Sequence, residues 1–121
     1  MEFVTHNTND VDINGTHLQG HIKCSYDRLT ELLGEPMEGD GYKVDAEWAL
    51  QFDDDTISTI YNWKNGKSYC GDRGLSVENI NEWNIGGISI NAVSHVNNIL
   101  GDKGINNKER LCHEYRPKNN E

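Results

Sequence analysis

Side chains that could do chemistry are few in this sequence, and their spacing does not suit them to it. His17 and His21 stand four apart in a segment that reads as a strand, with no carboxylate or cysteine ligand nearby. A structural zinc site needs four ligands at definite spacing, so no metal site is expected. The run Asp53-Asp54-Asp55 lacks the 12-residue pattern of a calcium loop and reads as a solvated turn. Asp45 and Glu47 share a strand face at a spacing that could flank a glycosidic bond. That face is opposite Trp48 and Phe52, which marks it as the water side. Cys112 and His113 are adjacent and point apart on a helix, whereas a cysteine nucleophile needs its base within reach. Gly39-Asp40-Gly41 and Gly86-Gly87 lack both the Lys-Ser/Thr ending of a phosphate loop and the spacing of a dinucleotide fingerprint. The expectation is a protein that is not an enzyme and uses no cofactor.

What remains is an inventory suited to binding. Aromatic rings stack on bases, and arginine pairs bidentately with phosphate. Trp83 stands at the end of a candidate strand ahead of Gly86-Gly87 and is expected near the surface. Arg110 and Arg116, with Lys103 and Lys108, form a late basic group. Trp48 and Trp63 are expected in the core.

These residues need elements to carry them. The clean alternation of Val44, Ala46, Trp48, Leu50 and Phe52 within 43–52 predicts a one-sided antiparallel strand. Residues 56–63 are β-branched and aromatic enough for the next strand. Asn65-Gly66 then predicts a tight hairpin turn, with Ser68 to Cys70 pairing back. This three-strand stretch is preceded by a strand over 16–24 with an irregularity at Gly20. A helix follows, capped by Ser25, carrying Tyr26, Leu29, Leu32 and Leu33, and stopped by Gly34 and Pro36. Another strand is predicted over 77–85. Ser89 caps a helix whose narrow seam of Ile90, Val93, Val96 or Asn97, and Leu100 suits helix–helix contact as well as a sheet. A third helix is predicted from Asn107 to about Tyr115. The fold class is therefore α+β: a bent antiparallel sheet of four to six strands, one early helix and two C-terminal helices. One domain spans 1–121, with a loose arm over 1–12, the sheet core over 14–87 and the helices over 89–116.

Charge narrows the partners. The net charge of −9 argues against DNA or RNA as a ligand. Residues 1–100 hold 16 acidic and 6 basic side chains, whereas 101–121 hold 4 and 5. An anionic ligand must be met by a local basic group, and the C-terminal segment is its expected source. Three scattered cysteines without a disulfide framework fit a reducing cytoplasm. No basic-then-apolar leader or membrane-spanning run is read. The modest apolar fraction points to a core completed by a second copy.

Several motifs together resemble a family of small bacteriophage proteins. They are Gly39-Asp40-Gly41-Tyr42-Lys43, Ala46-Glu47-Trp48, Thr59-Ile60-Tyr61-Asn62-Trp63-Lys64 and Trp83-Asn84-Ile85-Gly86-Gly87, with Asn14-Gly15-Thr16, Leu18-Gln19-Gly20 and Gly34-Glu35-Pro36. Over roughly residues 14–100 the chain is similar to the first type of Thoeris anti-defence protein. The resemblance implies a non-enzymatic sponge in the host bacterial cytoplasm. It would bind glycocyclic ADP-ribose and starve the defence effector of its signal. It also implies a homodimer built through C-terminal helices, or a hexamer with further sites for the cyclic oligonucleotides of CBASS defence. Carried over by position, Trp83 stacks on the adenine, Asn91 makes a polar contact, and Arg110, supported by Arg116, holds phosphate. Two other readings stay open. One is an acidic protein-targeting inhibitor such as an anti-CRISPR, motivated by Asp45, Glu47, Asp53 to Asp55 and Glu82. The other is a small hydrolase of the same signal, disfavoured by the missing acid–base pair.

Overall fold

A computed structural model describes residues 2–101 and 113–114. Strands β1 (Phe3–Thr5), β2 (His17–Lys23), β3 (Met37–Glu38), β4 (Ala46–Phe52), β5 (Ile57–Tyr61), β6 (Glu82–Gly87) and β7 (His113–Glu114) form one antiparallel sheet. The strand order is β1-β4-β5-β6-β2-β7, and the two-residue β3 also pairs with β4. Helices α1 (Tyr26–Leu33), α2 (Lys67–Cys70) and α3 (Asn91–Gly101) complete an α+β fold. No helix among the described residues is long and apolar enough to cross a membrane.

Local chemistry explains α1. The Ser25 hydroxyl accepts from the Arg28 N–H at 3.1 Å, Asp27 lies in the first turn, and Gly34 ends the helix at φ 91°. This is the start and stop that the sequence predicts. Leu29 and Leu33 are buried against the sheet. In β4 the alternation places Ala46, Trp48, Leu50 and Phe52 in the core, while Ala49 on the other face is buried as well. Across that core lie Ile22, Ile60, Trp83 and Ile85 from the neighbouring strands, and Ala92, Val93, Val96 and Leu100 from α3. Of the predicted seam, Val93, Val96 and Leu100 therefore lie on the sheet, whereas Ile90 stands exposed ahead of the helix. A Cβ at Gly87 would overlap Ala92, so glycine there is what lets helix and sheet approach.

Five expectations change. Residues of the arm are not all loose: β1 is the edge strand on β4, and the Phe3 and Phe52 rings stand 5.7 Å apart. The strand expected over 77–85 is shorter. A 3-10 turn takes Val77–Asn79, and β6 starts at Glu82. The hairpin at Asn65-Gly66 is replaced by α2, and β5 ends at Tyr61. The reason is Asn62, which is buried and turns its amide back onto β4, so the strand cannot run on. Of the helix expected over 107–115, only 113–114 are described, and they form β7 beside β2. Last, Cys24 is buried and disulfide-bonded, while Cys70 is a free, exposed thiol. The cysteine pattern therefore does not argue for a reducing compartment.

One tie fastens α3 to the β4–β5 turn. His95 Nε2 lies 2.8 Å from Asp54 Oδ2, with the imidazole edge-on to Phe52. That hydrogen bond, followed by those from Thr56, lowers the Asp54 carboxyl to about 2.

Candidate ligand-binding site

Two loops meet where β4 begins and β5 ends, and each carries an aromatic–lysine pair. The first, Tyr42-Lys43, is shaped by Asp40, whose Oδ1 accepts the backbone N–H of Tyr42, Lys43 and Val44 at 2.8, 2.9 and 3.0 Å. Those bonds, that from Val44 foremost, hold the Asp40 carboxyl below its ordinary range. The second loop, Trp63-Lys64, is clipped to the first by the Lys64 N–H, which donates to the Lys43 carbonyl at 2.8 Å. Lys64 has φ 60°, a left-handed conformation that costs a non-glycine residue about 1–3 kcal/mol. Such outliers persist where surrounding structure over-determines them.

The over-determination comes from Asn62. Its Oδ1 accepts the N–H of Asp45 at 2.6 Å and of Ala46 at 3.1 Å. Its Nδ2 donates to Asp45 Oδ1 and Asn65 Oδ1, both at 3.0 Å. Asp45 Oδ2 in turn accepts from the Ser68 N–H at 3.2 Å and hydroxyl at 3.1 Å, fastening α2 and with it Tyr69. A Cβ at Gly66 would collide with the Asp45 carboxylate. The glycine of the Asn-Gly pair is thus required by close approach, not by a hairpin, and its φ is −100°. A polar network centred in this way on a buried, fully hydrogen-bonded amide fixes one geometry.

The product is an exposed chain of rings and ammonium groups. Tyr42, Trp63 and Tyr69 are 55, 41 and 42 % exposed. Lys43 Nζ lies over Tyr42 and over Trp63, 5.4 Å from each centroid. Lys64 Nζ lies over Trp63 at 5.6 Å and over Tyr69 at 5.5 Å. The Tyr42 and Tyr69 rings are 5.3 Å apart, and Tyr61 meets Trp63 edge-on at 6.2 Å. Beside Trp63 opens a cavity of about 350 Å³ lined by Leu18, Tyr61, Trp63, Lys64 and Asn84. That volume is at the small-ligand end of the usual range. An exposed ammonium–ring contact is worth about 0.5–1 kcal/mol, and a base stacked on such a ring about 1–3 kcal/mol. The arrangement can therefore stack an aromatic group and neutralise an anion in one place.

A wider cavity of about 530 Å³ lies around Tyr26, Met37 and Lys67, but Glu35, Glu38, Asp45 and Glu78 also line it. Four carboxylates against one lysine make it hostile to a phosphate. Among the described residues no group of three or more His, Cys, Asp or Glu side chains is placed to hold a metal ion.

Glu47 pairs in register with Tyr61 and is half-buried, so the water-side expectation for it is too simple. Burial, with the Asp40 charge second, raises its carboxyl above the ordinary 4.5. Ionising it costs more in the folded chain than in the unfolded one. Its contribution is thus fully present below the unfolded value and is lost as pH rises through the folded one. Glu47→Gln is expected to melt higher than the parent at pH 7 and equally below pH ~4. Thermal melts across that range check it, and a lower melting point at pH 7 contradicts it.

Of the residues expected to form a pocket, only Trp83 and Asn91 are among those described. Trp83 is 1 % exposed: alternation in β6 sends it inward with Ile85, where its Nε1–H donates to the Cys24 carbonyl at 2.9 Å. It packs edge-on to Trp48, with ring centroids 5.3 Å apart, and so has no face for a ligand. Asn91 is exposed at the first turn of α3, its N–H donating to the Ser89 hydroxyl. Arg110 and Arg116, like Lys103 and Lys108, lie outside the described residues. Trp48 is in the core as expected, and Trp63 is not. A signal for the cluster was present in the sequence: the repeated aromatic–lysine dipeptides Tyr42-Lys43 and Trp63-Lys64.

Comparison with protein-family models, characterised proteins and solved structures finds no match to this chain.

Proposed function

We propose that this protein binds a small, phosphate-bearing nucleotide at the Trp63 cluster and sequesters it without chemical change. One observation carries the reading: two lysine ammonium groups rest on an exposed tryptophan in a chain of net charge −9. Local positive charge on an otherwise acidic surface selects a compact anion over a polyanion. The sequence resemblance to the Thoeris anti-defence family makes a cyclic ADP-ribose signal the ligand class, with cyclic oligonucleotides of CBASS as a second class. The role is then phage evasion of host immunity in the bacterial cytoplasm. Trp63, Lys43 and Lys64 take the stacking and phosphate roles first given to Trp83 and Arg110. Homo-oligomer formation is part of the proposal, supported by Ile88 and Ile90, which stand exposed just ahead of α3.

Titration calorimetry with the cyclic ADP-ribose isomers tests the reading. At least one isomer is expected to release or absorb heat on binding and to raise the melting temperature by linkage. Ligand recovered after heat denaturation is expected intact, which separates a sponge from a hydrolase. No binding by any isomer removes cyclic ADP-ribose as the sequestered signal.

A further inference from the structure

We propose that Lys43 and Lys64 are exchangeable occupants of the Trp63 ring, so that the site favours molecules carrying an aromatic base and phosphate together. The inference rests on the nucleotide-binding reading and specifies how that site selects. Among the described residues neither ammonium has a carboxylate within ion-pair distance; the ion pairs belong to Lys23, Arg28 and His95. Each ammonium instead shares two rings, Lys43 those of Tyr42 and Trp63, and Lys64 those of Trp63 and Tyr69. In an acidic chain, two cations seated on rings rather than in ion pairs are charges kept available for an anion, although the Asp40 carboxylate is near enough to feel the charge of Lys43.

The same contacts occupy the platform. A nucleoside stacking on Trp63 must displace an ammonium and offers it nothing in return. Inorganic phosphate can draw the ammonium away, but it leaves the ring uncovered. A nucleotide does both at once: its base replaces the ammonium on the ring, and its phosphate receives the ammonium. The two loops need not move for this, because Asn62, Asp45 and the Lys64–Lys43 backbone bond already fix them. Only the flexible lysine stems have to swing.

The test titrates the protein with adenosine, inorganic pyrophosphate and ADP at one ionic strength, following tryptophan fluorescence and calorimetric heat. ADP is expected to bind at least about tenfold more tightly than either fragment, a difference of ~1.4 kcal/mol. The decisive variants are Lys43→Ala and Lys64→Gly, the latter because glycine accepts the left-handed backbone at 64. Each is expected to weaken ADP while strengthening adenosine, an opposite sign that simple loss of structure cannot give. Adenosine binding as tightly as ADP overturns the proposal, as do lysine variants that weaken both ligands alike. Cyclic ADP-ribose binding with Trp63→Ala unimpaired also overturns it while leaving sequestration intact. Conversely, the sign reversal without binding of any cyclic ADP-ribose isomer retains this inference and removes the proposed signal.

Discussion

Replacing Trp63 with alanine is expected to abolish nucleotide binding while leaving the fold in place. The indole is the shared contact of both lysines and one wall of the adjoining cavity, so its loss removes the stacking face and the seats of both cations together. The cost to the fold is expected to stay at ~1–2 kcal/mol, because Trp63 is already 41 % exposed. Calorimetry against the tightest cyclic ADP-ribose isomer, paired with urea unfolding, separates the two quantities. Wild-type affinity in a folded Trp63→Ala protein would place the ligand elsewhere.

Trp48→Ala should do the reverse. Trp48 is fully buried between α1 and the sheet, and its Nε1–H donates to the Gly34 carbonyl at 2.7 Å, which ties the end of α1 to β4. Truncation opens a cavity beneath Tyr26 and Trp83 and strands that carbonyl, at about 3–5 kcal/mol. Against the 5–15 kcal/mol typical of a domain, this is a large fraction of the total. The urea midpoint should fall sharply without a matching change in slope. A loss under about 1 kcal/mol would contradict the packing described. Two tryptophans fifteen positions apart thus have opposite assignments: one holds the protein together and the other faces outward.

That contrast marks how far the sequence can be read. Period-two alternation correctly placed Trp48 and Phe52 inward because β4 continues unbroken through both. Applied to Trp63, the same rule fails, because β5 stops at Tyr61 and facing is undefined beyond a strand's end. What stops it is a long-range event: the Asn62 amide bonds to the N–H groups of Asp45 and Ala46, seventeen and sixteen positions earlier. Trp83 misleads in the opposite way. Its place near Gly86-Gly87 suggests a surface turn, but pairing with Ile22 in β2 and Asn84 with Tyr61 in β5 makes β6 a central strand. A central strand buries its inward residues whatever follows them.

The sequence by itself determined what is local. Ser25, Asp27 and Gly34 delimit α1, the alternation of β4 sets its inner face, and the absence of spaced catalytic or metal-binding groups shapes the expectation of a binder. These follow from backbone sterics, capping and side-chain period, all of which act within a few residues. Only the tertiary structure decided that Tyr42, Lys43, Trp63, Lys64 and Tyr69 share one surface. Their loops are separated by about twenty positions and are joined by long-range polar hydrogen bonds whose partners no local pattern announces. It also decided that Asn65-Gly66 does not turn a hairpin, because the space its glycine leaves is filled by Asp45.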